Sequence, residues 1–304
     1  MVNRRQFLAT SSLAVVATAM PGVTVFGRGR QAGLTTSFED LRRNVGIFNG
    51  QGGTIGWLVN DEGILVIDSQ NAAAAQACID GIGERSSRSI DLLVNTHHHG
   101  DHTGGNKTFQ PVVGSIVAHE NSADWQRRAA QDASNEADQA YPDTTFTDEW
   151  RTTVGDETVV ARYHGAGHTS GDVVVTFEQA NVVHMGDLMF NRLHPFVDRS
   201  SGARIESWME SLGTVAAAHD ADTIYIFGHG SPSNGVTGTR DDLAGLRNYF
   251  DAALELTRQQ IAAGRSRDEI VATESLTGFD DYISPFPLLS LGGVLGVAYD
   301  ELNG

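Results

Sequence analysis

Apolar residues fall in short runs divided by polar turns along most of the chain. Residues 45–48, 54–59 and 63–68 are three such runs, separated by glycine and Asn-Asp turn signals, and predict a meander of strands. The alanine-rich stretch 71–82 predicts a helix. Residues 90–95 predict a short buried strand that runs straight into a histidine cluster. A further strand is predicted at 115–118, then a helix from 122 to about 137. The second half repeats the scheme, with strands at 158–163, 172–178 and 182–184, an amphipathic helix at 205–218 and a strand at 223–227. A long helix follows from an N-cap at Thr239, with Asp241 and Asp242 in its first turn, to Ala263, closed by Gly264. The apolar stretch 288–297 is half the length of about 20 residues that a membrane span needs, and predicts a packed C-terminal helix. Both halves run strands and then helix, with no residue-level repeat and no low-complexity linker. The expected architecture is one domain over 34–304, with two sheets inside and helices outside.

The beginning of the chain differs from the rest. Its first acidic residue is Glu39, and Arg4, Arg5, Arg28 and Arg30 precede it. The opening Asn3-Arg4-Arg5-Gln6-Phe7-Leu8 leads into a weakly apolar run over 8–20 and then Pro21-Gly22. A charged start, an apolar middle and a small-residue exit describe a secretory signal, and the arginine pair is that of twin-arginine export. Ala17-Thr18-Ala19 suits cleavage after Ala19. Residues 1–33 are therefore expected to be an export signal and spacer, with the mature protein in the periplasm.

Charge narrows the choice of partners. Thirty-eight acidic residues against 21 basic ones give −17, spread over the chain. That field repels phosphate backbones, and no basic groove offsets it, so a nucleic-acid partner is not expected. The single cysteine, Cys78, excludes a disulfide framework and reads as a small buried hydrophobe in its helix. The expected partner is a small molecule, with no membrane span and no obligate protein partner.

The chemistry concentrates in Thr96-His97-His98-His99-Gly100-Asp101-His102-Thr103-Gly104-Gly105. In an extended loop, residues i and i+2 point the same way, so His97 and His99 can converge on one point. Asp101 and His102 then serve a second point on the following turn. Imidazole and carboxylate are the ligands of zinc and related divalent metals. Three further residues sit beside glycine at predicted strand ends: His168, Asp187 and His229. His98 is the spacer of the motif and is expected to point away from the metals. His164 and His184 read as structural, and Trp57 as core. Phe190, Phe196 and His194 are candidates for lining the cleft, and Gly52-Gly53 is either a mobile flap tip or a plain turn.

With these motifs in this order, the chain resembles the metallo-β-lactamase superfamily from Val45 to its C-terminal helix. The resemblance implies an α/β fold, an αββα four-layer sandwich of two mixed β-sheets with helices outside, and two zinc ions at one edge. By matching position, His97, His99 and His168 would hold the first ion, Asp101, His102 and His229 the second, and Asp187 would bridge them. Asp68, ending the third strand, would support a ligand. The implied chemistry is hydrolysis by a bridging hydroxide, with Asp101 and Asp187 as catalytic carboxylates. The stretch around His168 and the 19-residue step to Asp187 resemble subclass B1 β-lactamases, so opening of the β-lactam ring is the first expectation. Those enzymes carry cysteine where this chain has Asp187, and a lysine soon after. The only lysine here is Lys107, which leaves Arg192 or Arg199, with His194, as expected substrate contacts. Asp187 is the arrangement of relatives that act on lactones, esters and thioesters, the alternative reading. An iron-dependent sulfur or oxygen redox enzyme and a non-catalytic metal-binding module are the remaining ones.

Overall fold

A computed structural model describes residues 34–304. The expected export signal over 1–33 lies outside the described residues. Seven strands form the first sheet in chain order: Ser37–Arg42 (β1), Val45–Asn49 (β2), Ile55–Val59 (β3), Ile64–Ile67 (β4), Ile90–Asn95 (β5), Val113–His119 (β6) and Thr144–Phe146 (β7). The first four pair antiparallel through short turns. From β4 to β7 the pairing is parallel, which requires crossovers. These crossovers contain the helices Ala72–Arg85 (α1), Gly100–Thr103 (α2), Asn106–Phe109 (α3) and Glu120–Ala133 (α4).

The second sheet holds Glu149–Val154 (β8), Glu157–Tyr163 (β9), Val173–Phe177 (β10) and Val182–His184 (β11), with Ile224–Ile226 (β13) and Thr237–Gly238 (β15) beyond β11. Phe190–Asn191 (β12) and His229–Gly230 (β14) make a separate two-stranded ladder. Outside this sheet lie Ile205–Ala218 (α5), Arg240–Ala262 (α6), Arg267–Val271 (α7) and Leu291–Asn303 (α8).

Side-chain alternation along the strands builds the layers. Leu65 and Ile67 of β4 face the inter-sheet core with Val173, Val175 and Phe177 of β10. Their neighbours Ile64 and Val66 face the other way, onto Ala74, Ala75 and Cys78 of α1. Val174 and Val183 likewise turn outward, to Trp208 of α5 and Phe250 of α6. The result is the expected αββα sandwich, with three apolar layers between its four structural ones. Trp57 is buried in the α1 layer, as core. Burial also pushes the Cys78 thiol far above its usual range, so it is inert.

The chemistry-bearing residues gather where several strands end together. Asp68 follows β4, the histidine motif follows β5, Asp187 follows β11 and His229 follows β13. Because β4–β5 and β11–β13 are parallel pairs, their C-terminal ends emerge at one edge. His168 arrives from the loop between β9 and β10.

Candidate metal centre

Among the described residues three groups of ligand-type side chains form at that edge, one of them His98, His99 and Asp198. His97, His99, His168 and Asp187 offer atoms within 4.8 Å of one another, and Asp101, His102 and His229 make a second such group. Asp187 lies between them. Its Oδ2 is 3.4 Å from His168 Nε2, 3.8 Å from His97 Nε2 and 3.3 Å from His229 Nε2. Its Oδ1 is 3.0 Å from His102 Nε2. Asp101 Oδ2 stands 3.2 Å from His229 Nε2 and 4.0 Å from His102 Nε2.

The outer nitrogens fix which ring atom faces inward. Thr96 Oγ1 donates to Asp68 Oδ2 at 2.8 Å, so its oxygen accepts from His97 Nδ1 at 3.0 Å. His102 Nδ1 donates to Asp68 Oδ2 at 2.7 Å, and His168 Nδ1 to the Phe196 carbonyl at 2.7 Å. His99 is turned around: its Nε2 donates to Asp198 Oδ2 at 3.1 Å, which leaves Nδ1 facing inward. The inner nitrogens of His97, His99 and His168 therefore carry lone pairs, while His102 Nε2 faces Asp187 Oδ1. His99 Nδ1 and His168 Nε2 lie 2.8 Å apart. Two ring nitrogens at that distance share either a proton or a metal ion. His97 Nε2, wholly buried, has no hydrogen-bond partner of its own. An orphaned buried nitrogen costs a few kcal/mol, and a metal ion removes that cost. The donor set, five imidazoles and two carboxylates, is one that zinc accepts.

Electrostatics divide the cluster in two. Burial, with His99 beside it, brings His168 down to about 4, and burial with His102 nearby lowers His97 well below its ordinary value. Both are neutral ligands in waiting. Burial would also lower His102 and His229, but neighbouring carboxylates outweigh it. Asp187, Asp68 and Asp101 hold His102 well above its ordinary value, and Asp187 and Asp101 bring His229 up to about 9. The surplus negative charge that holds a proton here is the charge a cation would neutralise.

Local backbone chemistry makes these approaches possible. A Cβ on Gly228 would lie 2.0 Å from Asp187 Oδ1, so only glycine lets β13 run into His229 beside the carboxylate. Gly53 packs flat on His102 in the same way, and its N–H donates to the Asp101 carbonyl at 3.0 Å. The Gly52-Gly53 turn is therefore a support of the motif, held further by Gln70 Nε2 on the Gly53 carbonyl. The loop bearing His168 is held by Asp172, which accepts from the N–H groups of Gly167 and Thr169 and from Thr169 Oγ1.

All seven residues expected as ligands converge, and Asp68 supports two of them. His184 is buried, with Nε2 on the Thr54 carbonyl and Nδ1 accepting from the Gly186 N–H, the structural role expected of it. Phe190 stacks on His229 with centroids 5.3 Å apart, and Phe196 lies 5.7 Å from His99, so both border the cluster. The three expected substrate contacts are placed differently. Arg192 Nε pairs with Asp281 at 2.7 Å, Arg199 pairs with Glu301 of α8 at 3.2 Å, and His194 Nδ1 bonds the Tyr249 hydroxyl of α6 at 2.7 Å. Each is committed to the helical side of the loop, and neither arginine is a lone cation at the cluster. Two supporting residues escaped the sequence reading. Thr96 carried a signal, as the residue adjoining the motif. Asp198 did not, because it meets His99 across 99 residues of chain. His98 is not fully turned away: it is buried near Trp125, with Nε2 3.8 Å from Asp198 Oδ2.

Fold and cluster together describe a metal-dependent hydrolase scaffold. The family model of the metallo-beta-lactamase superfamily matches residues 49–229, and the chain belongs to that superfamily. It is 23% identical over 192 residues to metallo-beta-lactamase IND-1 of Chryseobacterium indologenes, covering 62% of this chain and 77% of that one. It is 29% identical over 146 residues to a hydroxyacylglutathione hydrolase of Maricaulis maris, covering 47% and 49%. Among solved structures, a metallo-beta-lactamase from Pontibacter korlensis superposes with TM-score 0.59 at 19% identity, over 70% of this chain and 98% of that one. The sec-alkyl sulfatase PisA1, as a double mutant, superposes with TM-score 0.66 at 16% identity, over 90% of this chain and 50% of that one. These structural likenesses establish the fold. Among the described residues, no helix is long and apolar enough to cross a membrane.

Proposed function

We propose that the protein is an exported hydrolase with two zinc ions, which cleaves an acyl carbonyl, the β-lactam ring being its first substrate class. The observation that carries the reading is the convergence of ring nitrogens from His97, His99, His168, His102 and His229 around Asp187. His97, His99 and His168 would hold one ion and Asp101, His102 and His229 the other, with Asp187 shared. Ions bound there supply hydroxide near neutral pH and polarise the carbonyl to be attacked. The protein's own part is positional and acid–base. Asp68 and Asp198 lock ring orientation, so the ligand atoms need no reorganisation during turnover. Asp101, its side chain a quarter exposed, would accept the proton of the attacking water and return it to the leaving group. Phe190 and Phe196 exclude water from one flank.

Likeness to enzymes named metallo-beta-lactamases, over about three quarters of IND-1, supports the β-lactam reading. A specific observation favours a second, an ester, lactone or thioester. A β-lactam antibiotic brings a carboxylate that wants a free cation, and Arg192 and Arg199 are both paired with acids. The test loads the protein with zinc and assays a chromogenic cephalosporin beside an aryl ester, a lactone and a thioester, with and without chelator. Hydrolysis that stops with chelator and returns with zinc supports the hydrolase, and the substrate turned over selects between the readings. Two bound zinc ions with no turnover of any of them would refute it.

A further inference from the structure

Among the described residues, four large apolar side chains are exposed by more than a third, and three of them, Ile283, Phe286 and Leu288, fall within six consecutive positions. Scattered apolar residues on a surface need no explanation, but a contiguous ridge marks a binding surface. The ridge Ile283-Ser284-Pro285-Phe286-Pro287-Leu288 is exposed at every position and firmly held at both ends. Before it, Tyr282 is buried and stacks on Tyr249 of α6 with centroids 4.5 Å apart. After it, Leu289 and Leu291 are buried in the helical layer. Prolines on both sides of Phe286 fix φ near −65°, so the ring is presented with little entropy left to lose on contact.

The ridge is joined to the loop that borders the metal centre. Ile283 N–H donates to the Arg192 carbonyl at 3.1 Å, and His194 N–H to the Ile283 carbonyl at 3.2 Å, a parallel bridge between Leu193 and Ile283. Three residues beyond Leu193, the Phe196 carbonyl holds His168, and its ring lies 5.7 Å from His99 and 6.0 Å from His168. Three extended residues reach at most about 10 Å, so Phe196 joins the bridge at Leu193 to the ligand cluster over a short length of chain. The net charge of −17 opposes a second copy of this chain or an anionic lipid surface as its occupant.

We propose that Ile283, Phe286 and Leu288, continuing from Phe196, form the outer wall of the substrate site and take an apolar acyl or aryl portion of the substrate. This rests on the hydrolase reading above, and not on which acyl bond is cut. The test measures binding rather than turnover. Alkyl hydroxamates chelate zinc through their head group, so a series from acetohydroxamate to decanohydroxamate varies only the chain that meets the ridge. Calorimetry on the zinc-loaded full chain is expected to show affinity rising up to about fourfold per methylene through the middle of the series. Ile283→Ala with Phe286→Ala is expected to flatten the rise, with zinc content equal to the wild type showing an intact centre. Acetohydroxamate binding with a flat series would overturn this proposal alone, as would a rise that persists in the double variant. So would vesicle binding, or concentration-dependent dimerisation, that the double variant loses while the hydroxamate rise remains. No zinc uptake and no hydroxamate binding would overturn both the hydrolase reading and this one.

Discussion

Gly53 separates the two halves of the proposed centre in a single substitution. A Cβ built there lies 2.0 Å from His102 Cε1 and 2.2 Å from Nε2, the atom that faces the second group. Ordinary contact begins at 3.4 Å, so the ring or the turn must give by about 1.4 Å, far beyond the tolerance of about 0.2 Å for metal–ligand distances. Its backbone does not lie in the left-handed region, so Gly53→Ala acts by collision and not by torsional strain. The ring cannot yield freely, because Asp68 holds its Nδ1 at 2.7 Å. The expected cost to stability is about 1–3 kcal/mol. The expected cost to the second ion is larger, about 10–100-fold in affinity, with hydrolysis down about 100-fold. The three atoms nearest a Cβ at Gly53 all belong to His102, so the first ion should remain. The assay is zinc per chain after equilibration with a chelator of graded strength, beside a thermal melt that checks the fold. A folded Gly53→Ala protein that keeps two ions with wild-type affinity would refute the reasoning.

Three further outcomes follow from the same geometry. Asp198→Ala removes the acceptor that turns His99 Nδ1 inward, and should weaken the first ion about 10–100-fold while sparing the second; a competitive zinc titration that shows equal loss of both would contradict the assigned role. Asp187→Ala removes the carboxylate shared by both groups and should lower occupancy of both ions together with the rate, since affinity follows ligand charge; unchanged stoichiometry would argue against sharing. Burial brings His184 down to about 4 in the folded protein, below its unfolded value of about 6.5. Its proton is therefore taken up on unfolding, and stability is lost as pH falls from about 6.5 towards 4. Metal-free wild type should lose up to about 1.4 kcal/mol per pH unit more than His184→Gln in that window, and parallel urea-unfolding curves would exclude this.

The sequence carried the parts of the fold that local chemistry decides. Helix α5 falls on the predicted 205–218. Thr239 caps α6 with Asp242 completing a capping box, and Gly264 ends it at φ 77°. Strand β5 and its direct entry into the motif also follow the pattern. The misses have physical causes. Strand β1, Ser37–Arg42, is mostly polar and half exposed, and it exists because β2 offers it an edge. Strand β8 alternates, but with Glu149, Arg151 and Thr153 on its exposed side, so its apolar signal is thin. Helix α4 stops at Ala133 because Ser134 turns left-handed at φ 55°, short of the predicted 137. The stretch expected as a helix from 288 begins at Leu291, since its first residues finish the exposed ridge. In the site, the seven converging residues were legible because each follows a strand or a glycine turn. The partners of Arg192, Arg199 and Asp198 were not, because Asp281, Glu301 and His99 reach them only through the folded chain.

A centre of two ions shared through Asp187 can be seen by anomalous diffraction at the zinc edge from crystals of the zinc-loaded protein. Two peaks are expected about 3.5–4 Å apart, one among His97, His99 and His168, the other among Asp101, His102 and His229, with Asp187 touching both. A single peak, or peaks that leave Asp187 without a metal contact, would contradict it.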